Sequence, residues 1–439
     1  MTPAPPPIPR QPSVRDDAVA IIRRLRDSRH VAYLAGGCVR DELLGLAPKD
    51  FDVATDAPPD RVRQLFSKTQ AVGAAFGVIL VRSGRSMIEV ATFRTDGTYS
   101  DGRHPDSITF TTAEADARRR DFTINGLFLD PIENRVIDHV GGQDDLRAKV
   151  LRAIGDPQHR FAEDYLRMLR AARFAARFGL TIEPSTEAAI RKYAPKLIEI
   201  SPERIADELR AMLTPASRTV AWRQLWSLGL IGQIMRFLAP PPSAPAPNAG
   251  AWRADERIGL FEHVRPDETA SFPLSLAVAS LAFLWQCSIS PLLAILSTET
   301  AAHVARTMRK ALRISNEEQD SVQAILRLSS DIIHQPRTVA RIKRFLASAD
   351  ASDAKALLEA ILRVPGHDGS AVEQALGDVS KFSGSDVAPP PLVTGDDLVA
   401  AGLQPGSRFK RILDRTYDEQ LEGRIATRQE AMQFALQVE

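Results

Sequence analysis

Leu34-Ala-Gly-Gly-Cys-Val-Arg-Asp-Glu-Leu-Leu-Gly-Leu-Ala-Pro-Lys-Asp50-Phe-Asp52-Val-Ala-Thr55 is the stretch on which the reading of this chain turns. Asp50 and Asp52 stand two apart in a short apolar run that reads as a strand, so both carboxylates project from one face. Gly36-Gly37 precede a segment, 39–46, of helical character. Glycines at such a turn let backbone N–H groups approach a phosphate closely, and paired hard carboxylates suit Mg2+ beside that phosphate. The chemistry that fits is metal-assisted nucleotidyl transfer. Alone, the two aspartates fit an ordinary solvated strand face equally well; the Gly-Gly turn with Arg40-Asp41 tips the reading.

The chain of 439 residues exceeds one compact core, and roughly two to four domains are expected. Hydrophobic residues are 44% and charged residues 25%, an ordinary soluble composition, and no apolar run approaches the ~18 residues of a membrane helix. Met1-Thr-Pro-Ala-Pro-Pro-Pro-Ile-Pro-Arg10 lacks the apolar centre of a secretory signal, and a cytoplasmic location is the expectation. Cys38 and Cys287 lie too far apart for a zinc-type cluster, and Cys38 reads as a packing residue. A net charge of +1 argues against a uniformly basic coat but permits local basic patches, so any case for RNA rests on where the arginines are.

Residues 1–12 are Pro-rich and read as disordered. Apolar residues at helical spacing predict a helix over 16–26, and another follows the turn at 57–60. Between 71 and 110 the pattern becomes β, with strands at 78–81, 86–93 and 107–110, and 126–138 reads as a hairpin around Pro131 to Asn134. Beyond Asp145 strand signals nearly vanish and helical segments follow one another. The fold class is therefore α+β: a head with a small mixed sheet, then an all-α remainder. The Pro-rich segment 239–250 reads as a surface loop or linker, and 388–391 as a second candidate boundary.

Three further groups carry chemistry. Glu89 alternates with buried Ile88 and Val90, and a third carboxylate on a neighbouring strand would complete a metal site; a solvated strand residue is the plain alternative. In Arg118-Arg-Arg-Asp-Phe-Thr-Ile-Asn125, Arg120 suits a phosphate, while Asp121 and Asn125 suit bracing of the turn. In 161–178, read as one helix, Asp164, Arg167, Arg170 and Arg173 recur every three residues, each step rotating back about 60° into a spiralling ridge. A solvated helix laced by Glu163 to Arg167 and Asp164 to Arg167 pairs is the competing account. A carboxylate beside a guanidinium accepts from an exocyclic amine and donates to a ring nitrogen, which fits the pairing edges of C and A and opposes G and U.

With these residues the chain resembles the class II tRNA nucleotidyltransferases, the CCA-adding enzymes of the tRNA nucleotidyltransferase/poly(A) polymerase family, strongly over 31–213 and weakly beyond. The resemblance implies a polymerase-β-like head followed by helical neck, body and tail, placed at 13–145, 146–215, 216–335 and 336–439. It implies that Asp50 and Asp52 bind Mg2+, with Glu89 where a third acidic residue is expected. It further implies that Gly37, Arg40 and Arg120 hold the nucleotide and that Asp164 and Arg167 read the base, with Arg170 and Arg173 nearby. The substrates implied are the 3′ end of tRNA with CTP and ATP; nothing in the sequence calls for a membrane or an obligate protein partner. Segment 94–105 resembles the family's mobile head loop, and 393–413 its tail.

Bacterial poly(A) polymerase shares the head and the arginine helix, but the absence of its basic Gly-Arg-Arg/Lys-Phe cluster at 72–78 favours CCA addition. Specialised A-adding or CC-adding enzymes are narrower alternatives. His367-Asp368 lacks the helical setting of a phosphohydrolase metal site and reads as incidental. A non-catalytic RNA scaffold would have no use for intact Asp50 and Asp52.

Overall fold

The structure, a computed structural model, describes residues 13–71, 76–97, 107–238, 259–265, 268–286, 291–365, 368–382, 387–404 and 406–438. Backbone contacts divide the chain into two units, one of residues 1–201 with 224–233 and one of 202–223 with 234–439. The fold is α+β as expected, with the sheet in the first unit and helices throughout the second.

The first unit opens with α1 (Val14–Asp27), started by a capping box in which Ser13 and Asp16 satisfy each other's backbone N–H groups. At 14 residues such a helix is marginal alone, and burial of Ala18, Ile21, Ile22 and Leu25 against the sheet holds it. The sheet has seven strands in the order β3-β4-β5-β2-β1-β8-β9: β1 (Ala32–Ala35), β2 (Asp52–Thr55), β3 (Thr69–Gln70), β4 (Val78–Ser83), β5 (Ser86–Thr92), β8 (Leu127–Asp130) and β9 (Arg135–Asp138). Only β2 and β5 run parallel; every other neighbouring pair is antiparallel. A small hairpin, β6 (Arg94–Asp96) and β7 (Ile108–Phe110), stands apart. Residues 98–106 of the loop that resembles the family's mobile segment lie outside the described residues, as do 72–75, Cys287, His367 and 239–250.

Register sorts the side chains. Leu34, Val53, Val90 and Ile79 are cross-strand partners in one buried row. The opposite face carries small residues, Ala35 and Ala54, packed with Phe93, Phe128 and Ala117. Ala117 belongs to α4 (Ala113–Arg118), a short helix capped by Thr112. Between β1 and β2 lies α2 (Gly37–Leu43), and between β2 and β3 lies α3 (Pro59–Leu65). Past β9 come α5 (Gly142–Ala148), β10 (Val150–Leu151), α6 (Pro157–Glu163), α7 (Leu166–Phe178), β11 (Thr181–Ile182) and α8 (Pro184–Tyr193), with β10 and β11 paired parallel.

Two expectations change. The single helix over 161–178 is two: Asp164 is extended (φ −155°, ψ 105°), and its carboxylate accepts from Leu166 N at 3.0 Å, a local bond that competes with helix continuation and restarts it. The aspartate strand begins at Asp52, with Asp50 and buried Phe51 in its extended lead-in.

In the second unit, Asn316–His334 packs against Phe272–Gln286, Thr298–Leu312 and Ala351–Arg363. Among the described residues no helix is long and apolar enough to cross a membrane. Val393, Leu398, Ile412, Ile425, Ala431, Ala435 and Val438 form a separate core at the C-terminal end. Asp368 accepts from Ser370 N at 2.9 Å, just ahead of Ser370–Ser380, whose N-cap is Gly369.

The cap of α8 gives a pH test. Burial would raise the carboxyl of Glu183, yet hydrogen bonds from Ser185 and Thr186 bring it down from 4.5 to about 2. A carboxyl lowered on folding contributes stability above its unfolded value and loses it as pH falls from 4.5 through about 2. Glu183→Gln is expected to reduce urea stability at pH 7, with the gap to the unaltered chain closing towards pH 2; a gap that stays constant with pH counts against this role.

Candidate active site

The turn from β1 into α2 sets the site. Gly36 has φ +69°, a conformation that side-chain-bearing residues rarely adopt, and an added Cβ would stand 2.7 Å from Nη1 of Arg120. Gly37 begins α2 without such a demand. Cys38 is buried and its thiol donates to Ala35 O at 3.4 Å; burial pushes it up to about 12, so it packs as a neutral group. Arg120 follows α4 and lies over the Phe128 ring, 5.0 Å from its centroid. Nε and Nη2 donate to Asp116 at 3.2 and 3.0 Å, and Nη1 donates to Asn125 O at 3.3 Å.

The carboxylates gather at the start of β2. Val53 pairs with Val90, so Asp52 and Glu89, one residue earlier on parallel strands, stand side by side. Burial, then the charges of Asp50 and Glu89, raise the Asp52 carboxyl to about 6, with Arg120 acting the other way. Asp50, Asp52, Glu89 and Arg120 therefore share one electrostatic neighbourhood. Among the described residues no three Asp, Glu, His or Cys side chains form a preassembled metal cage. The donors present, the hard carboxylate oxygens of Asp50, Asp52 and Glu89, suit a divalent cation held together with substrate phosphates.

Arg40 is placed differently from Arg120. It is only 5% exposed, with Nε and Nη2 donating to Asp41 at 2.8 and 2.6 Å and Nη1 to the Asn125 side chain. Its guanidinium covers the rings of Phe174 and Phe178 in α7, 5.1 and 4.4 Å from their centroids. Arg170 is likewise engaged: Nε and Nη2 donate to Asp121 at 2.9 and 2.7 Å. Burial would raise the Asp121 carboxyl, but Arg170, Asn125 and Phe122 N hold it at about 2. Asp121 and Asn125 thus brace the turn as expected, and they also fasten it to α7.

Asp164 and Arg167 flank the break between α6 and α7. Arg167 Nη1 donates to Arg160 O at 2.8 Å and pairs with Glu163, the contact that the solvated-helix account anticipated. Arg173 lies over the ring of Phe174, 4.4 Å from its centroid. The arginines share α7, whereas Asp164 stands off it on extended backbone. Two partners escaped the sequence reading. Asp116 holds Arg120, and its spacing of four from Arg120 after a Thr112 cap was the available signal. Phe178, half-buried, lies under the guanidinium groups of Arg40 and Arg177, while Phe174 is buried in the core and lies under Arg40 as well.

Residues 32–152 match the family described as the poly A polymerase head domain, and 179–240 the probable RNA and SrmB-binding site of polymerase A. A CCA-adding enzyme of Lacticaseibacillus paracasei is 32% identical over 399 residues, spanning 91% of this chain and 90% of that one. Poly(A) polymerase I of Haemophilus influenzae is 39% identical over 236 residues, 51% of this chain and 52% of its own. The crystal structure of the Bacillus stearothermophilus CCA-adding enzyme in complex with CTP superposes with a TM-score of 0.71 at 27% identity, covering 97% of both chains. The chain belongs to the tRNA nucleotidyltransferase/poly(A) polymerase family, and it is a nucleotidyltransferase.

Breaking the Asp121–Arg170 pair from one side strands a buried carboxylate. Arg170→Ala is expected to cost about 3 kcal/mol in urea unfolding, within the range for orphaned buried ion pairs, and Asp121→Asn to cost less. Equal, sub-kcal/mol losses in both variants would show the pair to be a solvated one.

Proposed function

We propose that this chain adds the 3′-terminal CCA to tRNA, drawing on CTP and ATP and selecting them with protein side chains. The observation that carries the reading is the convergence of Asp50, Asp52, Glu89 and Arg120 at the start of β2, against the Gly36 turn. The length of the matches supports CCA addition over poly(A) synthesis. The Lacticaseibacillus CCA-adding enzyme aligns over nine-tenths of both chains, whereas the Haemophilus poly(A) polymerase aligns over half. The shared head is common to both activities, so the helical part has to discriminate.

Asp50 and Asp52 would hold Mg2+, which when bound activates the tRNA 3′ hydroxyl and neutralises the triphosphate. Glu89 adds negative potential beside them. Arg120 takes the phosphate side of the nucleotide, and Gly37 leaves room beside the turn. Arg40 acts from below, through the Asp41 and Asn125 network that fixes the turn to α7. Asp164 and Arg167 read the base edge once Arg167 exchanges Glu163 for a ring nitrogen; Arg170 and Arg173 hold α7 in place around them. A head, neck, body and tail divided at 145, 215 and 335, with the tail gripping tRNA phosphates, completes the reading, as does a cytoplasmic site of action.

With Mg2+, CTP and ATP, the protein is expected to extend tRNA lacking its 3′ end by C, C and A and then stop. Unlimited A addition would convert the reading to poly(A) polymerase, and failure with CTP to A addition alone. Asp52→Ala should reduce transfer at least about 1,000-fold while tRNA binding persists; transfer that survives would remove Asp52 from the chemistry. Asp164→Ala should relax C/A choice, measured as UTP and GTP incorporation, more than it slows transfer. A variant that stays strictly selective would refute base reading.

A further inference from the structure

Asp116 belongs to no part of the chemistry described so far, yet it is among the most heavily engaged side chains in the head. It is 2% exposed on α4. One oxygen accepts from Nε and Nη2 of Arg120 at 3.2 and 3.0 Å. The other accepts from Arg119 Nε at 2.9 Å and from the backbone N–H of Arg94 at 3.2 Å. Burial would favour its neutral form, but Arg120 and Arg119 keep its carboxyl below the usual range, so it is a fixed negative charge.

The position of Arg120 explains why such a charge is needed. A guanidinium on a flexible stem beside the start of β2 is drawn towards the carboxylates there. A salt bridge there would cancel the negative potential that a divalent cation requires. Arg120 Nη1 lies against Gly36, the residue after Ala35, and Ala35 is the cross-strand partner of Asp52, yet among the described residues no salt bridge joins Arg120 to Asp52. Its fork is turned onto Asp116, its plane is pinned over Phe128, and Nη1 is fitted against Gly36 and Asn125 O. Of its five N–H donors, three are thereby occupied within the protein, and two remain for a ligand beside the turn.

We propose that Asp116 is a positioning residue: it holds Arg120 off the carboxylate cluster and aims it at the phosphates of the incoming nucleotide. The inference rests on the reading of Arg120 as a nucleotide-holding residue. Because the hold does not involve the base, it serves CTP and ATP alike, in contrast to the base-reading role given to Asp164.

Asp116→Asn is nearly isosteric, keeps an acceptor for the Arg94 N–H and removes the charge. It is expected to raise KM for both CTP and ATP about tenfold, the size of one lost charge-assisted pair, with kcat lowered less than threefold and KM for tRNA unchanged. Combined with Arg120→Ala, it should add little further, because both variants remove the same contact. Arg120→Lys keeps the charge but cannot be held by both donors, and is expected to raise KM for both nucleotides without altering the buried carboxylate. A lowered melting temperature with unchanged nucleotide KM in Asp116→Asn, full additivity in the double variant, or an unaffected Arg120→Lys would each overturn the proposal. Should Arg120→Ala itself leave both nucleotide KM values unchanged, the reading of Arg120 falls with it. If Arg120→Ala raises them and Asp116→Asn does not, only the positioning role falls.

Discussion

A relay of polar and charged groups ties the Gly36 turn to α7: Asp41 to Arg40, Arg40 to Asn125, Asn125 to Asp121, and Asp121 to Arg170. Its buried members, Asp41, Arg40, Asn125 and Asp121, are costly alone and stable only with their neighbours in place. The network therefore behaves as one unit, and it makes the placement of α7 a condition for the placement of the Gly36 turn. Phe174 and Phe178 extend the condition, since Arg40 stacks on both. On the function proposed above, chemistry at β2 and choice of nucleotide near α7 are thus mechanically joined in the first unit, although more than a hundred residues of chain lie between them.

The arginines of the family's motifs divide by what surrounds them. Arg40 donates to Asp41 and the Asn125 side chain, Arg170 donates to Asp121, and both act as struts. Arg120 is held by Asp116, the Phe128 ring and Asn125 O, with Nη1 against the turn. Arg167 is intermediate, paired with Glu163 at the junction of two helices. Identical residue types in one sequence pattern thereby do different work, set by which groups fold against each.

Much of this architecture was legible in the sequence. β-branched and aromatic residues between turn residues announced β4, β5 and the β8–β9 hairpin, and the period of 3.6 announced the long helices of the second unit. The spacing of Asp50 and Asp52 and the alternation around Glu89 pointed to a carboxylate cluster, and the parallel pairing of β2 with β5 is what brings Asp52 and Glu89 side by side. The break at Asp164 was not legible, since Phe161, Leu166 and Leu169 continue an apolar pattern that one unbroken helix would share. What interrupts it is a single side-chain bond to Leu166 N, and Asp164 offers that bond whether or not the helix yields to it. The partners of Arg40 and Arg120 were hidden for a different reason. Asn125 is eighty-five residues from Arg40, and the sequence does not reveal which of several nearby carboxylates a guanidinium will choose.

The parallel pairing of β2 with β5 has a consequence for how the site can drift. Glu89 meets Asp52 only because Val53 lies opposite Val90, an alignment that Phe93 N–H, donating to Thr55 O, and Thr92 Oγ1, donating to Ala57 O, help to fix. A slip of β5 by one residue would present a greasy side chain beside Asp52 and turn the third carboxylate to the far side of the sheet. The β4–β5 ladder, with Ile79 against Val90 and Val81 against Ile88, opposes the slip as well. The acidity of the centre is thus guarded by aliphatic residues that never touch a substrate, and conservative-looking changes among them are a route by which catalysis could be lost while every catalytic residue survives.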